Sequence, residues 1–457
     1  MIGLNAGLEI ARKALSAYQL ALSVYGNNIA NVETPGFSRR RPNLAERQAA
    51  DLPVGRIGLG VDVESVSRMR DRLLDDIYRR QNAMSARYES MESAFSEIET
   101  VLGEPSDTGL GSAISDFWNA WQELANQPES RTARQVVADG ATAFSQALNS
   151  MDARLQQMRA NLDGEIVATV GQVNSLAARI ADLNGAVVRG EVTGEEMCDV
   201  RDLRDRLLDE LSGLVDIRVF EREDGSASVT MGSEALVERT NTVSVGLASE
   251  SDGVIAVSRV TIGNGARAIR PAGGKLAGLL EMRDDTITDY QSRLDQIAAA
   301  IVENVNAAHR TGRGLGGETG TDFFDPAGTT ASTIRVSGSI LGDLSLIAAS
   351  ADGGPGNSDI ALEIAGLRLS ALIGDATISD YYGSVVGSLG VESSRVASER
   401  ESQGLMLQEI ENRRESVKGV SLDEEMANII ASQHAFEAAA KMVSVIDEMM
   451  STLISTI

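Results

Sequence analysis

The sequence predicts an α+β fold that is mainly α, with a long antiparallel helical shaft, paired coiled-coil helices at the N- and C-termini and an inserted outer β domain. Three observations lead to this prediction. Apolar residues recur at alternating steps of four and three at both ends of the chain, which is the period of helices that pack on other helices. The same period continues through much of the interior. In the segment 214–271 it changes to alternation between turn signals, which is typical of β-strands.

The N-terminal segment has one apolar seam that ends at a sharp turn. The seam consists of Leu4, Leu8, Ala11, Leu15, Tyr18, Leu22, Tyr25, Ile29 and Val32. Polar residues lie off the seam, so the segment predicts an amphipathic helix. The seam stops at Thr34-Pro35-Gly36, because proline has no N–H to donate and glycine readily adopts positive φ. From this stretch alone, an ordinary core helix of a bundle is an equally good interpretation.

The C-terminal segment has a second seam. Its positions are Leu422, Met426, Ile429, Gln433, Phe436, Ala440, Val443, Asp447, Met450, Ile454 and Ile457. Ile430, Ile446 and Leu453 flank this seam, so the apolar face is wider than one partner helix could cover. Ser421 before two acids predicts the helix start.

The two chain ends also have opposite charge. Residues 1–46 hold five Arg/Lys and three Glu, a charge of +2, whereas residues 420–457 hold one Lys and six acids, a charge of −5. Opposite charges favour pairing of the two ends.

Two segments resemble the rod, hook and hook-associated axial proteins of the bacterial flagellum. These are GNNIANVETPGFSRR near the start and GVSLDEEMANIIASQHAFEAAAKMVSVIDEMM near the end, with weaker similarity at 199–240 and 273–324. Within this family the start is most similar to hook-associated proteins at the junction between hook and filament, because rod and hook subunits usually have a Thr-Gly-Phe-Lys type ending without the proline. The motif residues are Asn27, Asn28, Asn31, Thr34, Pro35, Gly36, Phe37, Ser38 and Arg39.

The resemblance implies a structural protein that forms the hook–filament junction by self-assembly through its terminal helices. It implies a flagellar, extracellular location after export from the cytoplasm without a cleaved signal peptide. The implied partners are further copies of the chain, the hook protein, the second hook-associated protein on the filament side, and a cytoplasmic export chaperone at the C-terminal helix. Another axial subunit, a hook or distal rod protein, is an alternative; a secreted enzyme or adhesin is an alternative of a different class.

The residues that we expect to form the assembly interface come from both seams. They are Leu4, Leu8, Leu15, Tyr18, Leu22, Tyr25, Ile29, Leu422, Met426, Ile429, Phe436, Val443, Ile446, Met450, Leu453 and Ile457. One pair of helices leaves much of such wide seams in water. Our hypothesis is that the seams are poorly ordered in the free subunit and fold against neighbouring subunits.

Composition is consistent with this interpretation. The chain has 41 Lys/Arg against 66 Asp/Glu, a net charge of −25, which argues against nucleic acid and anionic membrane surfaces as partners. No apolar run is long enough to insert into a membrane. Glu9, Arg12 and Lys13 interrupt any signal-peptide pattern, so composition alone predicts a cytoplasmic protein. The lone Cys198 permits no internal disulfide.

The interior of the sequence predicts a series of helices before and after the β segment. Pro and Gly punctuation predicts an extended arm or hairpin over 42–67, and periodicity predicts helices over 70–102, 111–126, 129–189 and 199–213. Trp118 and Trp121 are expected in the core, and Gly164 and Gly171 could kink the longest helix.

The β segment is predicted to be an insertion, because helical period resumes directly after Gly274. The helices on either side of it should therefore be neighbours. A second non-helical block at 312–377 carries predicted strands at 333–337 and 360–369, and a helix returns over 379–417. We therefore expect a terminal assembly domain (1–36 and 420–457), a helical shaft (37–213, 273–312 and 377–419) and outer β-rich material (214–272 and 313–376).

No catalytic, cofactor or metal site is predicted. His309 and His434 lie on helical patterns without a nearby Cys or second His, and are expected at the surface or in a seam. The glycines of 312–317 fit dinucleotide spacing, but they follow a helix and no strand precedes them. Gly273-Gly274-Lys275 is followed by Leu276, so it lacks the Ser or Thr of a phosphate loop.

Overall fold

The structure is a computed structural model and describes residues 2–47, 50–52, 55–104, 106–193, 196–251, 256–263, 267–354 and 356–455. The α-helices of the described part are α1 (Ile2–Ala30), α2 (Arg72–Leu102), α3 (Leu110–Asn126), α4 (Arg131–Thr193), α5 (Cys198–Leu214), α6 (Lys275–Glu281), α7 (Ile287–Thr311), α8 (Gly338–Gly342), α9 (Asp359–Gly366), α10 (Ile378–Lys418) and α11 (Leu422–Ser455). Its strands are β1 (Arg40–Glu46), β2 (Ala50–Leu52), β3 (Gly55–Ile57), β4 (Val61–Arg68), β5 (Ile217–Glu221), β6 (Ala227–Met231), β7 (Glu234–Glu238), β8 (Asn241–Thr242), β9 (Val245–Ser251), β10 (Ala256–Ile262) and β11 (Arg267–Ala268).

The shaft is built around α4, which has 63 residues and extends roughly 95 Å at 1.5 Å per residue. It continues as one helix through Gly164 and Gly171. Helices α3, α5, α6 and α7 pack on it, and α2 packs on α10. Trp118 and Trp121 are fully buried in the shared apolar core, which confirms their predicted place.

Local signals explain where the shaft helices begin and end. The Asp71 carboxylate accepts a hydrogen bond from the Leu73 amide at 2.9 Å and so caps α2. Gly103 ends this helix at a φ of 59°, a left-handed angle that favours glycine. The predicted span 70–102 is therefore correct to within two residues.

The predicted arm over 42–67 is confirmed as two antiparallel strand pairs. Strand β1 pairs with β4, with an irregular register between Asn43 and Leu44, and β2 pairs with β3. Both β1 and β4 contact α1, so the arm lies against the N-terminal helix.

The β domain over 214–271 is also confirmed. It has a four-stranded antiparallel sheet in the order β5-β6-β7-β8 and a three-stranded sheet in the order β11-β10-β9. Alternate residues of β6 are buried against the shaft, which is the period that predicted the strands. Helices α5 and α6 contact each other, so this domain is an insertion between neighbouring helices. A π-helical turn, Met282–Thr286, connects α6 to α7.

The two strands predicted within 312–377 are wrong. Segment 360–369 forms α9 and a 3-10 turn at Leu367–Leu369. Ile360 and Ile364 are buried four residues apart while Leu362 is exposed, so the apparent alternation was one face of a helix. Segment 333–337 contributes only an isolated bridge between Phe324 and Val336. The described residues of 313–376 therefore do not form the β-rich block that we expected.

The prediction for His309 is also wrong, because this residue is buried in the shaft core. Its Nδ1 lies 2.7 Å from the Thr321 carbonyl oxygen, and its Nε2 accepts a hydrogen bond from the Ala348 amide at 2.8 Å. Trp121 and Phe323 pack against the ring. His434 is exposed on α11, as predicted for a surface residue.

Candidate assembly site at the paired termini

The first and last helices form an antiparallel pair. Asn28, near the end of α1, is hydrogen-bonded to Glu425 at the start of α11. Near the other end, a Cβ placed on Gly7 would lie 3.2 Å from Cδ1 of Ile446. The two contacts are separated by the same number of residues on each helix, from Gly7 to Asn28 on α1 and from Glu425 to Ile446 on α11. The two helices therefore stay in register over three heptads. The predicted pairing of the chain ends is thus confirmed.

The buried line between these two helices is made mostly of small residues. It consists of Ala11, Ala17, Ala21, Val24 and Asn28 on α1 and of Glu425, Ser432, Ala439 and Ile446 on α11. The α11 residues repeat every seventh position. Small side chains let the helices approach closely but bury little apolar surface. The larger apolar side chains therefore remain largely outside the seam.

The predicted interface residues lie beside this buried line. On α1, Leu4, Leu8, Leu15, Tyr18, Leu22, Tyr25 and Ile29 are half-buried. On α11, Ile446 is buried, Ile429, Phe436, Val443 and Met450 are half-buried, and Leu422, Met426 and Leu453 are exposed. Ile457 lies outside the described residues. The role of these residues between subunits stays a prediction.

An apolar stripe runs along the outer side of α11. We call it the α11 stripe; its members are Leu422, Met426, Ile430, Met442, Val445, Met449 and Leu453, each between 43% and 50% exposed. The last four step by three or four residues and so share one side of the helix. Within the described residues no other element covers these side chains fully. The stripe has two parts, 422–430 and 442–453, with the exposed polar residues Gln433, His434 and Glu437 between them. Exposed apolar side chains grouped in this way are typical of a protein-binding face.

Asn28 of the motif joins α1 to two other segments. Its side-chain nitrogen donates to Glu425 Oε2 at 2.8 Å and to the Arg40 carbonyl oxygen at 2.9 Å. Its side-chain oxygen accepts from the Arg40 amide at 3.0 Å. The side chain is fully buried, so these partners replace water that would otherwise satisfy the amide.

Glu425 is a buried carboxylate, with none of its surface exposed, and motif residues supply its donors. Arg39 Nε donates to Oε1 at 2.7 Å, while Asn28 occupies Oε2. Arg39 Nη1 also donates to Glu424 at 2.7 Å. A buried charge is tolerated when it is paired and hydrogen-bonded in this way. The motif therefore fixes the start of α11 against the end of α1.

The turn between α1 and β1 has the geometry that its sequence predicts. The Phe37 amide donates to the Thr34 carbonyl oxygen at 3.2 Å, and Gly36 has a φ of 82°. Any other L-residue would be strained at that angle. Thr34 and Pro35 are exposed. Asn31 donates to the Asn27 carbonyl oxygen at 2.9 Å and closes the last turn of α1.

Ser38 and Arg39 attach the turn to the shaft. The Ser38 hydroxyl donates to Asp202 on α5 at 2.7 Å, and both groups are buried. The Arg39 amide donates to the Lys418 carbonyl oxygen at the end of α10, at 2.9 Å. The motif thus contacts α5, α10 and α11, three elements that are remote from it in sequence.

Helix α5 presents a row of aspartates to the arginines around the motif. Asp199 pairs with Arg40, Asp202 with Arg68, Asp205 with Arg68 and Arg70, and Asp209 with Arg79 and Arg414. Burial alone would raise the pKa of Asp205, but the charges of Arg70, Arg68, Arg204 and Arg79 lower it to about 2. The row holds the arm, α2 and α10 at fixed positions along α5.

Sequence reasoning missed Glu425, Asp202 and this aspartate row as partners of the motif. Opposite charges on the two ends did indicate that the ends pair, but not which residues meet. The spacing of Asp199, Asp202, Asp205 and Asp209 at three, three and four residues places them on one face of α5, and was the available signal.

Three further features of the described residues concern metal binding, membrane insertion and the single thiol. They contain no cluster of three His, Cys, Asp or Glu side chains able to hold a metal ion. No helix among them combines the length and apolarity that a bilayer crossing requires. Cys198 is buried, and burial raises the pKa of its thiol.

Three family models match the chain. The model for the helical domain of flagellar hook-associated protein FlgK matches residues 95–324. The model for the C-terminal part of the flagellar basal body rod FlgEFG proteins matches 416–456, and the flagella basal body rod protein model matches 8–37. The two terminal matches contain the paired helices, and the central match contains most of the shaft and the β domain.

Individual proteins with similar sequences carry one name. Flagellar hook-associated protein 1 of Bacillus subtilis strain 168 is 34% identical over 497 residues, an alignment that covers 98% of this chain and 97% of the relative. The protein of that name from Escherichia coli K12 is 24% identical, with 97% of this chain and 98% of the relative covered. That from Salmonella typhimurium LT2 is 27% identical over 69% of this chain and 58% of its own length.

Solved structures with a similar fold include a flagellar hook junction protein. The flagellar hook junction protein FlgK from Burkholderia pseudomallei superposes with a TM-score of 0.64, at 14% sequence identity. The superposition covers 75% of this chain and all of the other.

Proposed function

The chain belongs to the flagellar hook-associated protein 1 family, and from this premise we propose that it forms the junction between hook and filament by self-assembly through its terminal helices. It is a structural component of the bacterial flagellum. The observation that carries the proposal is the antiparallel α1–α11 pair, which leaves the α11 stripe exposed. Rod-type matches at both ends are consistent with terminal helices that are shared among axial subunits. The FlgK-type match between them favours the junction over the hook or rod.

Assembly would proceed through the outer surface of the terminal pair. The α11 stripe of one copy would pack against half-buried residues of the α1 seam, such as Leu15 and Leu22, in a neighbouring copy. Burying apolar surface contributes about 25 cal/mol per Å², so a stripe of seven large side chains is a substantial driving force. Contacts between different surfaces of successive copies close into rings or wind into helices, and either arrangement would suit a junction.

We also propose the three-part organisation of the chain. Segments 1–36 and 420–457 would be the assembly domain, and the helices between them the shaft. The β domain at 214–272 would lie on the outside of the assembly. The antiparallel termini support this arrangement, because they put both assembly segments on one side of the motif and the shaft on the other.

The finer partners follow as proposals from the family. The hook protein would contact the junction on one side and the second hook-associated protein on the filament side. A cytoplasmic export chaperone would cover the α11 stripe before assembly, since an exposed apolar helix face otherwise promotes aggregation. Export would occur without a cleaved signal peptide, and the assembled protein would be extracellular.

Antibody labelling of isolated flagella tests the proposed function. Gold-labelled antibody against the chain should mark a single band where hook meets filament. Label spread along the hook or rod would instead identify a bulk axial subunit. Absence of label from the organelle, with the protein detected in the same cells, would contradict the proposal.

A further inference from the structure

We propose that the outer face of strand β5 in one copy of the chain docks into a groove along α2 of a second copy. This contact would join neighbouring shafts, in addition to the contacts made by the terminal helices. The inference rests on the proposed function, because it requires that copies lie side by side. Its test distinguishes failure of this contact from failure of the proposed function.

The first surface, which we call the β5 ridge, is formed by Arg218 and Phe220 on β5 and by Arg222, the residue that follows the strand. Strand β5 is an edge strand, and its inner residues Ile217 and Val219 face the shaft. Phe220 is 57% exposed, an unusual position for an aromatic side chain. Arg218 is exposed and has no ion-pair partner among the described residues.

Arg222 does have an ion-pair partner, but the interaction is weak. Its Nη2 lies 2.8 Å from Glu238, and both side chains are exposed. Its Nε also donates to the Ser228 hydroxyl at 2.9 Å. Exposed pairs of this kind contribute little to stability, because water and salt screen them and ordering the side chains costs entropy. Arg222 can therefore exchange this partner for another carboxylate. The β5 ridge therefore presents the Phe220 ring between two arginines that can pair with carboxylates of a partner.

The second surface is a groove of about 520 Å³ between α2, α4, α5 and α6. Its apolar lining includes Ala86, Ala94, Leu162, Leu214 and Leu279. Four glutamates also line it: Glu89, Glu97, Glu165 and Glu210. Lys275 pairs with Glu165 and Arg206 with Glu210, whereas Glu89 and Glu97 have no ion-pair partner among the described residues. Asn82, Ser90 and Ser93 line it as well, so the α2 groove has apolar side chains among polar ones and two carboxylates, Glu89 and Glu97, that are available to a partner.

The spacing of the charges on the two surfaces matches. Glu89 and Glu97 are eight residues apart on a helix, or about 12 Å at 1.5 Å per residue, with Ser93 midway. Arg218 lies on β5 and Arg222 directly follows it, so at the strand rise of 3.3 Å per residue the two are up to about 13 Å apart, with Phe220 midway. A β5 ridge aligned along α2 would place each arginine at a glutamate while the ring enters the groove beside Ser93.

The charge of the whole chain makes a second copy the appropriate partner. Each copy carries a net charge of −25, so neighbouring copies repel unless a positive surface meets a negative one. The β5 ridge and the α2 groove provide such a pair on one chain. Because they are different surfaces, their contact is heterologous and continues from copy to copy, as a ring or helix requires.

Cysteine cross-linking between two variants tests this contact. Cys198 is first changed to Ser to remove the native thiol, giving the parent C198S. One cell then makes two tagged versions of the parent, one with Phe220→Cys and one with Ser93→Cys. The matched control replaces Ser93→Cys by Ser96→Cys, an exposed position on α2 that does not line the groove. Flagella are isolated, mildly oxidised and analysed without reductant.

The expected result is a disulfide-linked dimer that contains both tags, formed with Ser93→Cys and absent or much weaker with Ser96→Cys. If both versions reach the junction and no mixed dimer forms, the contact does not exist. A cross-link from Phe220→Cys to a different flagellar protein would also overturn the proposal, since the β5 ridge would then serve another partner. The gold-label position of the C198S parent tests the proposed function independently of the cross-link.

Charge exchange gives a second measurement if loss of the Phe220 ring prevents incorporation. Arg218→Glu with Arg222→Glu should reduce the amount of protein in the junction several-fold, and Glu89→Arg with Glu97→Arg should do the same. Combining all four changes in one chain should restore incorporation, because each contact then has its signs reversed. The docking geometry would be contradicted if both double variants are folded but poorly incorporated and the fourfold variant is incorporated no better than they are.

Discussion

At the scale of single residues, the buried side chain of His309 is neutral, and its two hydrogen bonds fix which ring nitrogen carries the proton. Nε2 accepts the Ala348 N–H, so the ring proton must be on Nδ1, where it is donated to the Thr321 carbonyl oxygen. A second proton would have to be placed on Nε2, facing a donor. Burial accordingly lowers the pKa of His309 from 6.5 to about 4.

This shift predicts a stability change between pH 4 and 6.5. The unfolded chain binds a proton to this histidine in that range and the folded chain does not, so stability is complete above about pH 6.5 and falls as pH drops towards 4. The contribution is on the order of 3 kcal/mol. Urea unfolding followed by tryptophan fluorescence, from Trp118 and from Trp121 beside the ring, measures it at successive pH values.

The variant His309→Gln should lose this pH dependence and be less stable at pH 7. The control is His434→Gln, at the exposed histidine of α11, which should retain the slope of the parent. An equal slope in the parent and in His309→Gln would show that His309 does not titrate as predicted.

Asn28 and Asn27 are adjacent asparagines with different roles. Asn28→Ala should loosen the start of α11, because Glu425 would lose a buried donor and the Arg40 backbone two partners; the cost is about 2 kcal/mol. Hydrogen exchange measures the effect as faster exchange in 421–432. Asn27→Ala, at the exposed neighbour, should leave exchange unchanged. Equal exchange in both variants would rule out Asn28 as the link.

At the scale of elements, the outer side of α11 separates into an apolar and a polar stripe. Val445→Asp places a charge in the α11 stripe and should abolish incorporation into the junction, because assembly would bury that charge. Circular dichroism of the free chain should be unchanged, since Val445 is outside the seam with α1. Incorporation is scored by antibody on isolated flagella.

The matched control for this variant is Ser444→Asp, one residue away, where Ser444 and Glu448 form part of the polar stripe. It should be incorporated normally. Normal incorporation of Val445→Asp would remove the α11 stripe from the assembly interface.

Long periodic elements could be predicted from the sequence because many residues repeat the same signal. Helices α2, α3, α5 and α10 begin and end within two residues of the expected positions. Segment 360–369 failed because a short apolar stretch such as Ile360, Leu362 and Ile364 fits both a strand and a helix. Ala11 of the predicted α1 seam is buried, but beyond it the buried residues Ala17, Ala21, Val24 and Asn28 each precede by one position the predicted Tyr18, Leu22, Tyr25 and Ile29.

Periodicity could not predict the polar contacts of the site. Asn28, Ser38 and Arg39 were found by resemblance, but Asp202 is 164 residues from Ser38 and Glu425 is 397 residues from Asn28. A contact between single polar side chains leaves no repeat in the sequence. His309 was misplaced because its polar partners are backbone groups of Thr321 and Ala348, in the irregular segment after α7, which the helical pattern does not indicate.

At the scale of the whole molecule, the shaft and the terminal pair differ in how they are stabilised. The shaft has a continuous core of aromatic and branched side chains, whereas the terminal pair has a seam of mainly small residues. Apolar burial is the main source of stability, so the pair should be the less stable part of the free subunit.

Hydrogen exchange of the free and assembled protein tests this prediction. In the free subunit, amides of 4–30 and 422–455 should exchange much faster than those of α4. In isolated junctions they should become protected, because neighbouring copies cover the terminal helices. Equal protection of the termini in both states would contradict folding on assembly.

The antiparallel termini have a practical consequence for anyone who wishes to follow this protein in living cells. Because α1 begins where α11 ends, a fluorescent fusion at either end would sit on the surface through which copies are expected to associate. The turn between β6 and β7 is a better site. Gly232 and Ser233 are exposed there, and no atom lies within 4 Å of a Cβ built on Gly232. A small tag inserted at this turn would be attached to the β domain and not to the helices that hold the chain ends together.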